Sequence, residues 1–526
     1  VKELRLLPAA VITWLVVGLT VVTRSPWLGA GLAVLAALSA VKWRGQGLVV
    51  GALGMAGLVT SWLRVQSAPD SYPAQLVARV TSTPTTTRSG GWMVRLDTGR
   101  AIVTGFSRDE PPPTGSTVQA DVVARPTDHP EVSPVLLTIN RMHTLREADG
   151  ITAWATSLKQ WYRTQCAHYL GPSTEGLIPG MVLGDTTGQT QAEKDMFIST
   201  GLSHLTAVSG SNITIITVAA VLVAKTLTLG PRVQVGCAAL TLAVFVTVVG
   251  PEPSVLRACV MGIVGLLAVI GSAQVEPAHG LALAVIALLL VDSNLATSFG
   301  FALSVAATAG LVALSPLIYR ALVRGRWASR SPDVLLRALA VAIAADLVTM
   351  PIVALMSGRV LIASVLANVL VVAAVAPVTI IGLLAVAVPP LLKLAEPFAW
   401  WIAFVARLLA DAPQLTIPAP WALLLAGWLV WLIHIRKAHW LLLGALLLIP
   451  RPGPAPVPLD HVVQLDTIPK DYVAPPGVQA VVVHDHGPPS KRPHRTKEGI
   501  PILYPNRDGP VRVYQDGSQR AERGHF

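Results

Sequence analysis

The chain has 526 residues, 52% of them hydrophobic and only 13% charged, with a mean hydropathy of +0.59. Soluble domains carry about 25% charged residues, so this composition excludes an ordinary water-soluble globule and indicates a polytopic helical membrane protein. Lys and Arg outnumber Asp and Glu by 40 to 29, giving +11; basic residues flanking membrane spans account for such an excess without nucleic acid. The cysteines Cys166, Cys237 and Cys259 are scattered, with no CxxC pair, which indicates neither a disulfide framework nor a zinc site.

Apolar segments near residues 10–23, 27–41 and 47–63 open the chain. The first follows Lys2 and Arg5, lacks a small-residue cleavage motif and is read as an anchor. Placing Lys2, Arg5, Lys42 and Arg44 in the cytoplasm puts the amino terminus inside and residue 64 outside. Arg24 then falls on the outer side, against the rule. Residues 64–145 differ in kind: short alternating runs such as QLVARV (75–80), GWMVRLD (91–97) and STVQADVVARP (116–126) are separated by Gly, Pro and Thr turns. Those are strand signals, and a segment of this length suits a small closed barrel of OB-like type. Residues 151–170 read as a helix with Trp154, Trp161 and Tyr162 on a broad apolar surface and Lys159 and Arg163 on another face. Such a helix either lies in the membrane interface or packs on the barrel.

Beyond residue 200 apolar spans are dense, near 205–224, 234–249, 256–272, 278–291, 297–318, 337–356, 361–389, 398–410 and 420–435, with a short run at 438–449. The basic groups Lys225/Arg232, Arg320 to Arg330, and Arg436/Lys437 then fall on one side, as the positive-inside rule requires, for a total of about 12–13 crossings. The fold expected is therefore a polytopic α-helical membrane protein with a small external all-β OB-like barrel and a short hydrophilic C-terminal tail. Its parts are N-terminal membrane helices (1–63), the β domain (64–145), an amphipathic helix (146–175), a membrane core (176–450) and a Pro-rich external tail (451–526).

Polar residues inside the apolar body are the candidate functional groups, because lipid makes them expensive. His204, Ser209, Ser211 and Asn212 run directly into a span, and either glue helices together or line a polar path. The upstream GLIPGMVLGDTTGQT (176–190) is glycine-rich and contains Asp185; it reads either as a re-entrant gate or as a surface turn in which Asp185 makes a local bond. Arg257 stands at the start of a span, where it snorkels, pairs with Glu252 or meets a polyanion. Asp292 and Asn294 mark a boundary. Asp346 and Asn368 lie deeper, with Pro351 expected to kink the span beside Asp346. The structural alternative for that pair is a mutual contact that fixes packing. Arg79, Arg95 and Arg100 of the barrel read by themselves as ordinary surface charge. In the tail, HDH (484–486) has two alternating imidazoles but no further ligand motif, so no metal is expected. Walker A, dinucleotide-loop and GxSxG motifs are absent from the sequence. No catalytic residue and no cofactor are expected, and coupling to ATP would need another protein.

GLIPGMVLGDTTG (176–188), FISTGLSHLTAVSGSNITII (197–216), PSVLRACVMGIVGLLA (253–268), SNLATSFGFALSVAATAGLVALSP (293–316) and LIASVLANVLVVAAVAPV (361–378) resemble, in order, the ComEC/Rec2 family of inner-membrane channel proteins of bacterial DNA uptake. The resemblance covers most of 150–450, and 64–145 is similar to the family's external OB-like domain. It implies transport of single-stranded DNA across the cell membrane. It also implies a separate DNA receptor, a cytoplasmic ATP-dependent motor or DNA-binding proteins, and a separate nuclease. The implied path or gate uses Asp185, His204, Ser209, Ser211, Asn212 and Arg257, and the implied external DNA contacts are Arg79, Arg95 and Arg100 of the barrel. Many members carry a histidine soon after the SG pair, where this chain has Asn212. Larger members end in a metallo-β-lactamase-like domain, of which HVVQLDTIPKD (461–471) looks like a worn counterpart. The alternatives are a permease for another anionic polymer or small polar solute, and a membrane scaffold that transports nothing.

Overall fold

The computed structural model describes residues 6–40, 45–87, 91–127, 129–206, 210–270, 276–324, 332–361, 363–412, 414–416 and 419–434, with short segments between 462 and 521. It divides into two compact units, Val1–Gly444 and Ala445–Phe526.

The first unit opens with α1 (Leu6–Thr23), α2 (Pro26–Ala40) and α3 (Gln46–Ser67). The barrel follows as β1 (Gln75–Val80), β2 (Thr85–Thr86), β3 (Trp92–Asp97), β4 (Ile102–Ser107), β5 (Thr117–Pro126) and β6 (Val135–Arg146). Its strands run in the order β1-β5-β6-β4-β3, and β3 pairs back onto β1. All pairings around this ring are antiparallel except β4 with β6. This is the connectivity of an OB-type Greek-key barrel, and closure leaves no long edge for another chain to pair with. The alternation seen in the sequence is the cause: Leu76, Ala78 and Val80 of β1 point inward against Val94, Leu96, Val103, Val118, Leu137 and Ile139. At Gly105 a Cβ would stand 2.8 Å from the Ile139 Cδ1, so a larger residue there would have to displace the end of that side chain in the barrel core.

The barrel is clasped to the helices. Arg24, between α1 and α2, donates to the carbonyls of Glu131 (3.2 Å) and Val132 (2.6 Å), and the Val132 amide donates to the Asn294 Oδ1 at 2.8 Å. Beneath them Val17, Val21, Val65, Ala68 and Val132 form an apolar cluster. Arg24 therefore has a structural reason to sit on the barrel side, which answers its conflict with the charge rule. We expect Arg24→Ala to remove two charge-assisted bonds and lower the local stability of the 129–134 loop by about 1.5–3 kcal/mol. Faster amide exchange there, with unchanged exchange in the barrel core, is the readout; an unaltered loop would show that the apolar cluster alone holds the barrel.

The helical body continues with α4 (Gly150–Tyr169), α5 (Leu177–Leu183), α6 (Gln191–Ser199), α7 (Ser203–Thr206), α8 (Gly210–Thr226), α9 (Pro231–Val249), α10 (Pro253–Ile270) and α11 (Pro277–Val291). After a 3-10 turn at Ser293–Thr297 come α12 (Phe299–Ala313), α13 (Ser315–Val323), α14 (Asp333–Ser357), β7 (Arg359–Leu361), α15 (Ala363–Leu384), α16 (Leu392–Leu409), β8 (Gln414–Thr416) and α17 (Ala419–His434). The protein is thus a multi-pass α-helical membrane protein with an OB-like barrel. Among the described residues, five helices are long and apolar enough to span: α1, α3, α9, α14 and α15. The α12–α13 pair, bent by 44°, makes a sixth.

The 12–13 crossings expected from the sequence also count α2, α8, α10, α11 and α17, helices whose described apolar stretches run to 10–17 residues, against the roughly 20 of a straight crossing. The candidate at 398–410 is the second half of α16, and the run at 438–449 lies outside the described residues. Pro351 lies within α14, which is assigned as one helix across it. Contrary to a purely interfacial or barrel-packed reading, α4 sinks Tyr162 and Cys166 into a core shared with α5, α15 and α16, while Ile151, Trp154 and Trp161 remain outward.

The second unit has described strands β9 (Val462–Leu465), β10 (Ala480–Val483), β11 (His494–Arg495) and β12 (Pro501–Leu503), ordered β11-β12-β10-β9 with β10 parallel to both neighbours. Val481, Val483 and Tyr504 form one of its small apolar clusters. His484 and His486 lie outside the described residues.

Candidate functional site

The glycine-rich stretch 176–190 forms the floor of the site. All seven residues of α5 are buried, which a surface turn cannot be. Close backbone approach makes this possible. A Cβ at Gly180 would stand 2.7 Å from the Thr206 carbonyl oxygen, and one at Gly382 would stand 2.5 Å from Val182. Asp185 nevertheless makes the local bond expected of a turn: its Oδ1 accepts from the Thr187 amide at 3.1 Å and from the Thr187 hydroxyl. Its Oδ2 is 3.5 Å from the Arg163 guanidinium of α4, which also donates to Thr187. The Asp185 carboxylate is 4% exposed and paired, so it anchors α4 to the floor. Lys159, one turn earlier on α4, donates to the Val249 carbonyl at 2.9 Å and so caps the carboxyl end of α9. Burial lowers the Lys159 ammonium from its ordinary pKa, with Asp185 and Glu252 opposing that shift.

Above the floor, Asn212 is buried and donates to the Met181 carbonyl at 2.6 Å. Gly210, at the start of α8, faces α10: a Cβ there would lie 3.0 Å from an Arg257 guanidinium nitrogen and 3.2 Å from the Ala258 Cβ. The Arg257 Nε donates to the Ser304 Oγ of α12 at 2.8 Å, and a terminal nitrogen lies 3.5 Å from the Met261 sulfur. Arg257 is 8% exposed, and among the described residues no carboxylate pairs with it. Gly210 is thus the point at which α8 meets Arg257, while Asn212 turns to the floor helix. Ser209 and the Ser211 side chain lie outside the described residues.

A second polar group lies along α14 and α15. The Ser364 Oγ donates to the Asp346 Oδ1 at 3.0 Å, and the Asn368 Nδ2 donates to the Ser364 Oγ at 3.3 Å. Asp346 and Asn368 therefore meet through Ser364. The turn before α7 seats on this serine: Gly201, at φ 72°, is so close that a Cβ would fall 2.3 Å from the Ser364 Oγ. On the same turn the His204 Nδ1 is 3.1 Å from the Gly201 carbonyl oxygen. The ring keeps open surface while protein closes around it, and desolvation lowers its pKa from the ordinary imidazole value.

The remaining sequence candidates lie elsewhere. The Asp292 Oδ1 caps the 3-10 turn by accepting from the Asn294 amide at 2.9 Å, and Asn294 holds the barrel loop. Arg79, Arg95 and Arg100 are exposed on the barrel, and the Arg79 Nε donates to the Gly115 carbonyl at 3.3 Å. A cavity of about 260 Å³ between α5, α6 and α16, lined by Leu177, Met196, Phe197, Ala403 and Arg407 among others, does not include the Arg257 patch. Gln189 also borders it and is 6% exposed, and neither of its amide atoms has a hydrogen-bond partner. Among the described residues no group of three or more His, Cys, Asp or Glu could hold a metal ion. Arg163, Gly201, Ser304 and Ser364 are the participants that sequence reasoning missed. A serine at a regular helical position gives no sign of which neighbour it will meet, but the polar exceptions Ser304 and Ser364 in otherwise apolar runs were visible.

A family model described as Competence protein matches residues 181–450, just over half of the chain. No curated protein and no solved structure matches. The matched region begins in the buried floor helix and includes Asn212, Arg257, Asp346 and Asn368. The chain belongs to the Competence protein family, of ComEC/Rec2 type.

Proposed function

We propose that this protein is a conduit that passes single-stranded DNA through the cell membrane, with Arg257 as a phosphate contact in a path that is closed in this conformation. The observation that carries the reading is the buried Arg257 guanidinium, which has a serine partner but no carboxylate among the described residues. A buried charge left without a counter-charge costs several kcal/mol, and a phosphate oxygen entering between α8 and α10 offsets that cost. Opening requires α8 to leave α10 and the floor helix to shift. In this reading the amino terminus is cytoplasmic. The barrel and tail are external and gather the strand through Arg79, Arg95 and Arg100. A receptor delivers DNA, a separate nuclease degrades the complementary strand, and a cytoplasmic motor or DNA-binding proteins pull the incoming strand.

The test is Arg257→Met against Arg257→Lys, scored by uptake of labelled single strands and by thermal stability in detergent. Uptake falls about tenfold or more in the methionine variant, as loss of a charged hydrogen bond predicts, and the lysine variant retains part of it. Stability of Arg257→Met stays level or rises, because an uncompensated buried charge has been removed. Full uptake by a stably inserted Arg257→Met protein would exclude the phosphate role. Equal loss of a small anionic solute would favour a permease, and unaffected uptake on deleting the whole protein would favour a scaffold.

A further inference from the structure

An ionised Asp346 would repel phosphate and is a poor liner for a polyanion path. The Asp346 Oδ1 accepts from Ser364, but the Oδ2 is buried and has no hydrogen-bond partner among the described residues. Among the described residues no lysine, arginine or histidine forms an ion pair with it. An intramembrane carboxylate in this condition is unfavourable unless a cation completes it. We propose that Asp346, with Ser364 and Asn368, forms a binding site for a monovalent cation, either a proton or a sodium ion.

The surroundings leave few competitors for that role. The facing helices α12 and α15 carry no titratable side chain anywhere along their length. On α13 the titratable groups are Tyr319 and Arg320, and Tyr319 bonds Asp333 at the far end of α14, where Arg337 also pairs with Asp333 at 2.6 Å. The titratable residue of α17 is its terminal His434, and β7 begins with Arg359 beyond the opposite end of α14. His204 is the titratable group on the turn that covers Ser364. That turn closes the site: Gly201 presses on the serine that holds the Asp346 Oδ1. Withdrawal of the turn exposes Ser364 and lets the cation leave, so occupancy is tied to the seating of 200–206.

The binding stands independently of the DNA reading, and its use in transport rests on it. Moving negative charge inward against an inside-negative potential is unfavourable. A cation released on opening links that movement to an ion gradient.

The experiment uses the full chain in phosphatidylethanolamine–phosphatidylglycerol vesicles. Infrared difference spectra are recorded on changing pH at constant sodium, and on changing sodium at constant pH, for the parent protein and Asp346→Asn. A carboxyl band that responds in the parent and vanishes in Asp346→Asn is expected; response in the pH arm identifies a proton, and in the sodium arm a sodium ion. Ser364→Ala shifts the midpoint by at least about tenfold, because a hydrogen bond to the charged group is lost. Superimposable spectra for the parent and Asp346→Asn in both arms overturn the site. So does an unchanged midpoint in Ser364→Ala, which also serves if Asp346→Asn does not insert. Uptake of labelled DNA by the same vesicles is read separately: an ion response without uptake rejects the conduit and retains the cation site.

Discussion

A protein carrying Gly210→Cys and Ala258→Cys, with Cys166, Cys237 and Cys259 replaced by alanine, is expected to take up no labelled single-stranded DNA when oxidised and to recover on reduction. The Cβ positions at 210 and 258 are 3.2 Å apart, a few tenths of an ångström below the separation that a disulfide adopts, about 3.5–4.5 Å. A small movement between α8 and α10 therefore allows the bond. Once formed it ties α8 to α10 beside Arg257, across the contact that a strand must part. A local tie of this kind leaves the barrel and the α1–α3 contacts as they are, so membrane insertion and detergent stability are unchanged or improved. Single-cysteine controls should be indifferent to oxidation. Undiminished uptake by the fully oxidised pair would place any strand path elsewhere and detach Arg257 from it.

The second large effect concerns Gly201. Its φ of 72° is left-handed, and an added Cβ would lie 2.3 Å from the Ser364 Oγ and 2.7 Å from the Ser364 Cβ. Alanine there is strained by about 1–2 kcal/mol from the backbone and by about 1–3 kcal/mol from overpacking. Gly201→Ala is therefore expected to destabilise the helical unit by about 2–5 kcal/mol, measured by thermal unfolding in detergent. The steric part depends on Ser364 and the backbone part does not. Gly201→Ala with Ser364→Gly should recover the first and keep the second, so the two changes are non-additive. A Gly201→Ala protein as stable as the parent would mean that the turn does not seat on Ser364.

Both predictions depend on contacts between segments far apart in the chain, and this marks the limit of what the residue order conveys. The OB-like barrel was legible from QLVARV and its fellow alternating runs, because side-chain period along a strand is a local property and one face of each strand has to be inside. The apolar helices were legible for the same reason, since 52% hydrophobic residues in long runs leave them few places to go but a membrane or a core. The clustering of costly polar residues near 203–212, at Arg257 and at Asp346 was also visible, because each interrupts an apolar run.

Partner choice was not legible. Asp185 was legible as either a gate residue or a turn-former, but nothing in the residue order showed that Arg163 of α4 would lie on it. Asn294 looked like a polar residue at a span boundary and proved to hold the barrel loop, together with Arg24, whose position beside the barrel the charge rule disfavours. Asp346 and Asn368 needed Ser364 between them. Helices that are apolar on nearly every face carry almost no signal of which face meets which neighbour, and short runs such as α8 and α10 do not declare whether they cross the bilayer alone. Residue order therefore specifies solvent preference, position by position. The packing of one nearly uniform apolar surface on another selects which buried donor meets which acceptor, because only the assembled helices bring glycines such as 201, 210 and 382 within reach of the side chains they accommodate.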